Sequence, residues 1–455
     1  MPSSRSLAVS VCGVLVWCFS WTPSVHAQPP LPAGWPPRLE LGMADAPGGA
    51  AALRRTAPFA FRYQYLAGGV NTGGGWATWN TNGDFPRFYI EDSIAHGVMP
   101  VFSYYMLLQS TPGGGNENDA DFTNLNNTAT MTAYYNDLTL FFRKAGAFSS
   151  QKVVLHVEPD LWGYMQQRSG NDDARGLSAK VAETGNPHLA GLPSNVSGFA
   201  RAVVRLRDAY APNVLLAYHL SVWGTNVDIA IQDPDDATVD RLAARAAAFY
   251  VSLGTSFDIV FAEFSDRDSA FYQFIVGDNR RWWDADDFRR SARFLSGFST
   301  ATSKRMVMWQ IPLGNTKMLA QNNTWGHYQD NRTEWLLDEP GQSHLTAYLN
   351  AGVVAFLFGG GASGTTCACD AIGDGVTNGA PSGGTTIAAE LAPVGAAPTL
   401  VTRGATPTLV TPNAADDDGG FFRWKAWQYY QAGAMALPGV SVHPPSAPRR
   451  FRIAR

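Results

Sequence analysis

The sequence is poor in the residues that build disulfide scaffolds and metal clusters. Its 455 residues contain four cysteines, and two of these, Cys12 and Cys18, lie within the first 27 residues. Cys367 and Cys369 stand in a C-x-C spacing that cannot supply a four-ligand zinc site. The eight histidines include no H-x-H and no H-E-x-x-H pattern. We therefore predict no disulfide framework, no metal centre and no cofactor. A Ca²⁺ site in the Asn- and Asp-rich run 116–127 stays open beside an ordinary polar loop.

Charge and long hydrophobic runs are also scarce. Charged residues make up 16% of the chain and the net charge is -4, which argues against a nucleic-acid-binding protein. The apolar run 7–21 follows Arg5 and precedes a small-x-small site ending at Ala27, a pattern typical of a signal peptide cleaved after Ala27. No later run approaches the ~20 apolar residues of a membrane span. We expect a secreted or periplasmic monomer in which Cys367 and Cys369 form a disulfide.

Apolar runs of strand length are what the sequence has in plenty. Eight of them alternate with segments of helical periodicity, which predicts right-handed βαβ units and an α/β fold, a closed (β/α)8 (TIM) barrel. We assign the signal peptide to 1–27, the barrel to 28–436 and a tail to 437–455. Within the barrel, 359–420 is interpreted as a long loop or flap, with a separate C-terminal domain as the alternative. The predicted strands are 39–43, 61–66, 99–105, 153–157, 214–220, 258–262, 305–311 and 353–358. The clearest predicted helices are 130–147, 196–210, 237–253, 284–300 and a final one at 421–435.

The lengths of the connections predict where the site lies. Each predicted helix returns to the next strand through a short link, whereas the loops that leave strands two to four run to roughly 20–30 residues. Long strand-to-helix loops are typical of a barrel whose C-terminal face carries the site.

The fourth predicted strand ends in Glu158-Pro159-Asp160. Strand alternation places His156, Glu158 and Asp160 toward the barrel axis. Two carboxylates at the end of a barrel strand suit glycoside hydrolysis, which needs a general acid together with a base or nucleophile. We predict Glu158 as the acid, because Trp162 and the barrel wall can desolvate it. The structural alternative is that Asp160 caps the next turn and Glu158 pairs with Arg62.

The sixth strand offers a second acidic cluster. Glu263 is predicted to face the lumen and to be, with Asp160, a candidate partner of Glu158. Asp266 and Asp268 follow on the loop, where a solvated salt bridge with Arg267 is the alternative interpretation. Asp45, at the end of the first strand, is a further candidate that could instead cap the turn 47–49.

Substrate contacts are predicted from polar and aromatic residues at strand ends and in the upper loops. Indole rings suit the apolar faces of sugars, although each could equally fill the core. A lone strand histidine is more often a satisfied core group than a base. The predicted contacts are Asp45, Arg62, Gln64, Trp79, Tyr105, Trp162, His219, Trp223, Asp266, Gln310, Trp325 and Asp330.

The eight-unit pattern, the Glu158-Pro159-Asp160 motif and the acidic end of the sixth strand resemble the large group of (β/α)8-barrel glycoside hydrolases. The resemblance covers residues 38–436 and implies an exported enzyme that cleaves a polysaccharide or oligosaccharide. Gln310 departs from the group, since many retaining members carry their nucleophilic Glu there. Two alternatives stay open: a catalytically silent carbohydrate-binding barrel, and a barrel hydrolase or lyase acting on another polymer. The sugar, the linkage and the stereochemical outcome are left open as well.

Overall fold

The computed structural model describes residues 28–317, 321, 323, 327–362, 365–366, 399–403, 406–410 and 419–438. Eight parallel strands form a closed barrel in chain order, and the last pairs with the first. The predicted (β/α)8 barrel is therefore confirmed. The strands are β1 Glu40–Ala44, β2 Phe61–Leu66, β3 Met99–Tyr104, β4 Val153–Val157, β5 Val214–Leu220, β6 Ile259–Glu263, β7 Met306–Pro312 and β8 Val353–Gly359. An antiparallel hairpin pairs β9 Thr399–Arg403 with β10 Thr406–Val410.

Helices surround the barrel and lie in most of its connections. They are α1 Ala50–Thr56, α2 Phe85–Ala95, α3 Glu117–Leu125, α4 Thr128–Gly146, α5 Leu161–Ser169, α6 Val196–Tyr210, α7 Asp236–Ser252, α8 Ser269–Phe271, α9 Ala285–Thr302, α10 Arg332–Leu337, α11 Ser343–Asn350 and α12 Gly419–Gln431. A π-helical turn, Tyr272–Val276, continues α8. No helix in the described ranges is long and apolar enough to cross a membrane.

Element boundaries follow local chemistry closely. Strands β2, β4 and β5 have the predicted limits, and the other five differ by one residue at one or both ends. Parallel barrel strands are covered on both faces, so their apolar runs are nearly continuous and easy to recognise. Helices α6 and α7 begin where a polar side chain caps the first turn: the side chain of Asn195 accepts from the amide of Gly198, and that of Asp235 from the amide of Thr238.

Aromatic rings fill the barrel lumen. The ring of His156 lies 4.6 Å from that of Phe261 and 4.7 Å from that of Trp309, so His156 faces the axis as predicted. Tyr63 and Tyr65 also contact Trp309. The tyrosine face of β2 is thus the inner one, and Arg62 and Gln64, predicted as substrate contacts, lie on the opposite face of the strand. Bulky rings fill the interior, whereas a guanidinium finds carboxylates on the helix side.

The last described helix packs against the beginning of the barrel. The hydroxyl of Tyr429 donates to the carbonyl of Leu39, and that of Tyr430 donates to the carboxylate of Glu40. Helix α12 therefore packs against the first barrel strand. The predicted signal peptide, the predicted disulfide between Cys367 and Cys369, the side chain of Trp325 and nearly all of the predicted tail lie outside the described residues.

Candidate active site

Three side chains from three consecutive strands meet at the C-terminal end of the barrel. Asp160 follows β4, His219 belongs to β5, and Glu263 ends β6. A carboxylate oxygen of Asp160, one of Glu263 and a ring nitrogen of His219 all lie within 4.8 Å of one another. His219 is buried, whereas the two carboxylates are partly exposed. Two carboxylates that solvent can reach thus share a small space on the face where barrel enzymes carry their sites.

The backbone at Asp160 is held in an unusual conformation. Its φ of 69° lies in the left-handed region, which costs a non-glycine residue of the order of 1–3 kcal/mol. Asp160 precedes α5, but its side chain makes no capping hydrogen bond to that helix, all of whose residues are described. The structural alternative of a helix cap is therefore excluded. In this conformation the carboxylate of Asp160 lies beside that of Glu263.

Burial and repulsion between neighbouring carboxylates raise the pKa of both Asp160 and Glu263. Desolvation raises the pKa of Glu263 to about 7, and the negative charge of Asp266 adds to the rise. The indole of Trp223 partly opposes this by donating to Glu263 over 3.4 Å. The pKa of Asp160 is raised well above its usual value, first by desolvation and then by Glu263. Two interacting carboxyls titrate as a pair, so one can hold a proton while the other is ionised.

Tyrosines and further acids surround the pair. Tyr105 donates to Glu117 from α3, and Tyr272 donates to Asp266. The hydroxyl of Tyr65 donates to Gln310 over 3.1 Å. Tyr164 packs against Trp223 with ring centroids 4.7 Å apart. Tyr105, Trp223, Asp266 and Gln310 therefore lie at or near the site that the sequence predicted for them. Tyr65, Tyr164, Glu117 and Tyr272 were missed.

One of the missed residues carried a sequence signal, and the others did not. Glu117 lies in the acidic run interpreted above as a loop or Ca²⁺ site, at the start of the helix that follows β3. Tyr65 alternates with Gln64 along β2, and the sequence does not show which of the two faces inward. Tyr164 and Tyr272 lie on elements whose orientation depends on tertiary packing.

Glu158 does not lie where strand alternation places it. Its φ is 45°, so the alternation ends at Val157. Its carboxylate accepts the backbone amides of Met106 and Leu107 at 3.2 and 3.3 Å and is buried. Burial raises the pKa of Glu158 to about 8. We correct the predicted position: the carboxylate anchors the loop after β3, away from the Asp160–Glu263 pair.

Arg62 and Asp45 belong to the barrel wall. The guanidinium of Arg62 is buried beside α2, paired with Asp92 and 3.1 Å from a carboxylate oxygen of Asp45. It also lies over the ring of Tyr89, 3.9 Å from the centroid. The predicted pair of Arg62 with Glu158 is therefore replaced by this network. Asp45 is not available as a free carboxylate, and Gln64 uses its side-chain oxygen to accept the neighbouring amide of Tyr65.

Three other predicted contacts serve the packing of the loops and the wall. Trp162 is buried, donates to the carbonyl of Val157, and packs against Phe199 and Tyr218 on the helix side. Asp330 is buried in an ion pair of 2.8 Å with Arg332 and cannot meet a ligand. Both predictions of substrate contact are wrong. Asp268 is buried and accepts from the amide of Gly314 and the hydroxyl of Thr365, so the alternative of a salt bridge with Arg267 does not hold for it. It holds for Asp266, whose carboxylate pairs with Arg267.

Trp79 remains on the surface. Its side chain is 43% exposed, and its indole N–H donates to the carbonyl of Gly74 within the loop after β2. The ring stands edge-on to Phe85 at 5.0 Å. An exposed indole held in one orientation can stack on a sugar ring, so its predicted role stays a prediction.

Asp160, His219 and Glu263 are also the residues that could hold a metal ion. Within the described part of the chain they form the one group of three such side chains. Two carboxylates and a neutral imidazole are a donor set that divalent transition metals accept. The same three side chains can equally perform acid–base chemistry without a metal, so the donor set alone does not choose between the two.

A scan against protein-family models and a search of curated proteins find no match to this chain. Among solved structures, it is similar to a beta-glucosidase from Thermotoga maritima in complex with castanospermine, with 9% identity and a TM-score of 0.41 over 71% of this chain and 88% of that one. An exo-beta-1,4-mannosidase from Opitutaceae bacterium strain TAV5 matches with 10% identity and a TM-score of 0.41 over 74% and 54%. A family 39 glycoside hydrolase from Bacteroides cellulosilyticus matches with 10% identity and a TM-score of 0.37 over 71% and 56%. These structural neighbours are glycoside hydrolases, but similarities this remote carry no argument about activity, and the site has to be judged on its own geometry.

Proposed function

We propose that the protein is an exported glycoside hydrolase that cleaves a polysaccharide or oligosaccharide with Asp160 and Glu263 as its catalytic pair. The observation that carries the proposal is the close approach of these two partly exposed carboxylates at the C-terminal end of the barrel. Glycosidic bond cleavage needs one protonated and one ionised carboxyl on either side of the bond. The proposal moves the acid role from Glu158 to Asp160.

The groups around each carboxyl support the assignment of Asp160 as the acid and Glu263 as the ionised partner. Desolvation and the charge of Glu263 raise the pKa of Asp160 well above its usual value, and its side chain makes no capping hydrogen bond to α5, which favours the protonated form and hence the general acid. Glu263 accepts from the indole of Trp223, and Arg281 lowers its pKa, which favours the ionised form. Glu263 then acts on the anomeric carbon, and Asp160 delivers its proton to the leaving oxygen.

The spacing supports a retaining reaction. Carboxylate oxygens of the two residues approach within 4.8 Å of each other, which is below the ~6.5–9.5 Å that leaves room for an attacking water in inverting enzymes. Glu263 is accordingly proposed as the nucleophile of a covalent glycosyl-enzyme intermediate. Proton NMR of the first product formed from an active substrate reads the anomeric configuration directly. A product of inverted configuration would contradict the nucleophile role.

The test begins with a screen of the purified protein against a panel of polysaccharides and oligosaccharides. On any substrate found, Asp160→Asn and Glu263→Gln should each lose ~10²–10⁴-fold in kcat while circular dichroism stays unchanged. Glu158→Gln, predicted from the sequence to be as severe, should lose less, because a glutamine oxygen can still accept the amides of Met106 and Leu107.

Glu40→Gln is the matched control, since Glu40 is a buried carboxyl with a raised pKa at the other end of the barrel, bonded to Tyr430. It should keep full activity. Full activity of Asp160→Asn would remove the proposed acid. Specific binding of a sugar without hydrolysis would support the catalytically silent barrel instead.

A further inference from the structure

A chain of buried polar side chains runs through the lumen directly beneath the catalytic pair. The hydroxyl of Ser103 lies 3.3 Å from Nδ1 of His156, and Nε2 of His156 lies 3.0 Å from Nδ1 of His219. All three side chains are fully buried. Nε2 of His219 is buried and has no hydrogen-bond partner among the described residues. Since Nδ1 of His219 pairs with His156, Nε2 of His219 is the ring nitrogen that can bind Asp160 or Glu263.

The chain can carry its hydrogens in either of two directions. If Ser103 donates to His156, then His156 donates through Nε2 and His219 presents an Nε2–H group to the carboxylates. In the reverse arrangement, His219 presents a bare lone pair. Carboxylate oxygens attract an N–H group and repel a lone pair, so the first direction is favoured as soon as one carboxyl ionises. Both rings are fully buried, and burial disfavours a charged imidazolium, so His219 acts as a neutral donor.

We infer that Ser103, His156 and His219 form a directional hydrogen-bond chain that presents a neutral Nε2–H group beneath the Asp160–Glu263 pair and holds its ionised member in place. The gap of up to 4.8 Å is one that a single water or a sugar hydroxyl can bridge. The three are positioning residues, and that role rests on the proposed hydrolase. The direction of the hydrogen-bond chain does not depend on the proposed hydrolase activity.

Other ionisable groups also face the pair, and the test has to separate the chain from them. They are Glu117 and Asp121 on α3, Asp266 after β6, Asp228 after β5, Arg281 before α9, and Tyr65, Tyr105 and Tyr164. None of these groups belongs to the chain, so a substitution at Ser103 changes the chain and leaves them in place.

The direct test is the histidine tautomer, measured by long-range ¹H–¹⁵N NMR on the full chain with ring-labelled histidine. His156→Gln and His219→Gln assign the two rings. In the unsubstituted protein both rings should be neutral Nε2–H tautomers at pH 8, above the pKa of Glu263. Ser103→Ala removes the terminal O–H donor and should bring in the Nδ1–H form of His219, whereas Ser103→Thr should restore the original tautomer. Ser93→Ala, which removes another buried hydroxyl, on α2, is the control and should change neither ring.

Kinetics then test the positioning role. On an active substrate, Ser103→Ala should move the acidic limb of the kcat/KM pH profile upward by roughly half a pH unit, because a weakened donor favours the protonated carboxyl. Ser103→Thr should move it back. An Nδ1–H tautomer of His219 in the unsubstituted protein, a charged ring at pH 6, or a stoichiometric metal ion in the protein as isolated would each overturn the inference. If the tautomers are as expected but no glycoside is cleaved, the chain stands and the proposed hydrolase fails.

Discussion

Asp160 combines a left-handed backbone conformation with a carboxyl group of raised pKa. Left-handed φ values occur at Glu158, Asp160 and Gln310, all at the C-terminal ends of β4 and β7. Such conformations persist only where the surrounding structure imposes them, and they concentrate at functional sites. At Asp160 the strain coincides with a carboxyl group of raised pKa beside a second carboxyl. Glu158 shares the left-handed φ, but its carboxylate is bound to two backbone amides, whereas that of Asp160 lies beside the carboxylate of Glu263.

A pH profile follows from the role of Glu263. The nucleophile must be ionised, so kcat/KM should rise as pH increases through about 7, the pKa of Glu263. It should fall again at a higher pH where Asp160 loses its proton. Initial rates between pH 5 and 10 measure both limbs. A profile that declines steadily from pH 5 upward would contradict the assignment.

Trp223 provides a finer test of the same carboxyl. Trp223→Phe removes the indole donor to Glu263, so the pKa of Glu263 should rise and the acidic limb should move up by about half a pH unit. Trp282→Phe is the matched control, because the indole of Trp282 donates to Gln273 in the loop after β6. It should leave the profile where it is.

At the scale of single elements, the end of β4 shows how a strand is converted into a site. The backbone amide of Glu158 still pairs with the carbonyl of Tyr104 on β3, while its side chain turns to the amides that follow β3. The next turn then carries Asp160 to the rim, and α5 begins with Trp162 packed in the wall. One acid of the motif thus fixes the loop, and the other lies beside Glu263.

Helix α4 offers a prediction on stability. The side chain of Asn127 accepts from the amide of Thr130 and caps the first turn. Asn127→Ala should lower the free energy of unfolding by about 1 kcal/mol, as measured in urea. Asn136→Ala, at an exposed interior position of the same helix, should leave stability unchanged or slightly raise it, because alanine is the better helix former. Equal losses in both variants would argue against a specific cap.

For the whole molecule, the junction between β1 and α12 predicts a loss of stability at alkaline pH. Burial raises the pKa of Glu40 from 4.5 to about 7. A carboxyl whose folded pKa is raised adds stability that is fully present below its unfolded pKa and disappears as pH rises through the folded value. Glu40→Gln should therefore be more stable than the unsubstituted protein at pH 8.5, by about 2–3 kcal/mol, and similar to it at pH 4.5. Urea unfolding at the two pH values makes the comparison. A difference that does not depend on pH would show that Glu40 is ionised at no cost.

The raised pKa values at Glu158, Glu263 and Asp137 act in the same direction as that at Glu40. Glu40→Gln removes only one of these contributions, so the variant should still lose some stability above neutral pH. The control for the junction is Tyr430→Phe, which removes the hydroxyl that donates to Glu40 and should raise the pKa of Glu40 further.

The amino-acid sequence alone predicts the eight strands in order, the closed barrel, and a site on its C-terminal face. These depend on local periodicity and on short returns against long loops, which are properties of neighbouring residues. It also identified Asp160 and Glu263 among its candidates. It could not decide which way β2 faces, because Arg62-Tyr63-Gln64-Tyr65 alternates polar and aromatic residues and either set can face inward. The orientation of β2 follows from tertiary contacts, because the tyrosines pack against Trp309 and Arg62 pairs with Asp45 and Asp92.

The positions and partners of Glu158, Asp160 and His219 likewise depend on tertiary contacts. Strand alternation extends only as long as the backbone stays extended, and the left-handed turn at Glu158 ended it within the motif itself. The partners that then separate these residues are distant in the chain: the amides of Met106 and Leu107 for Glu158, the carboxylate of Glu263 for Asp160, and the ring of His156 for His219. A carboxylate bound to buried amides anchors a loop, whereas a carboxylate facing another carboxylate has its pKa raised. That difference arises from contacts across the barrel, which spacing along the chain does not encode.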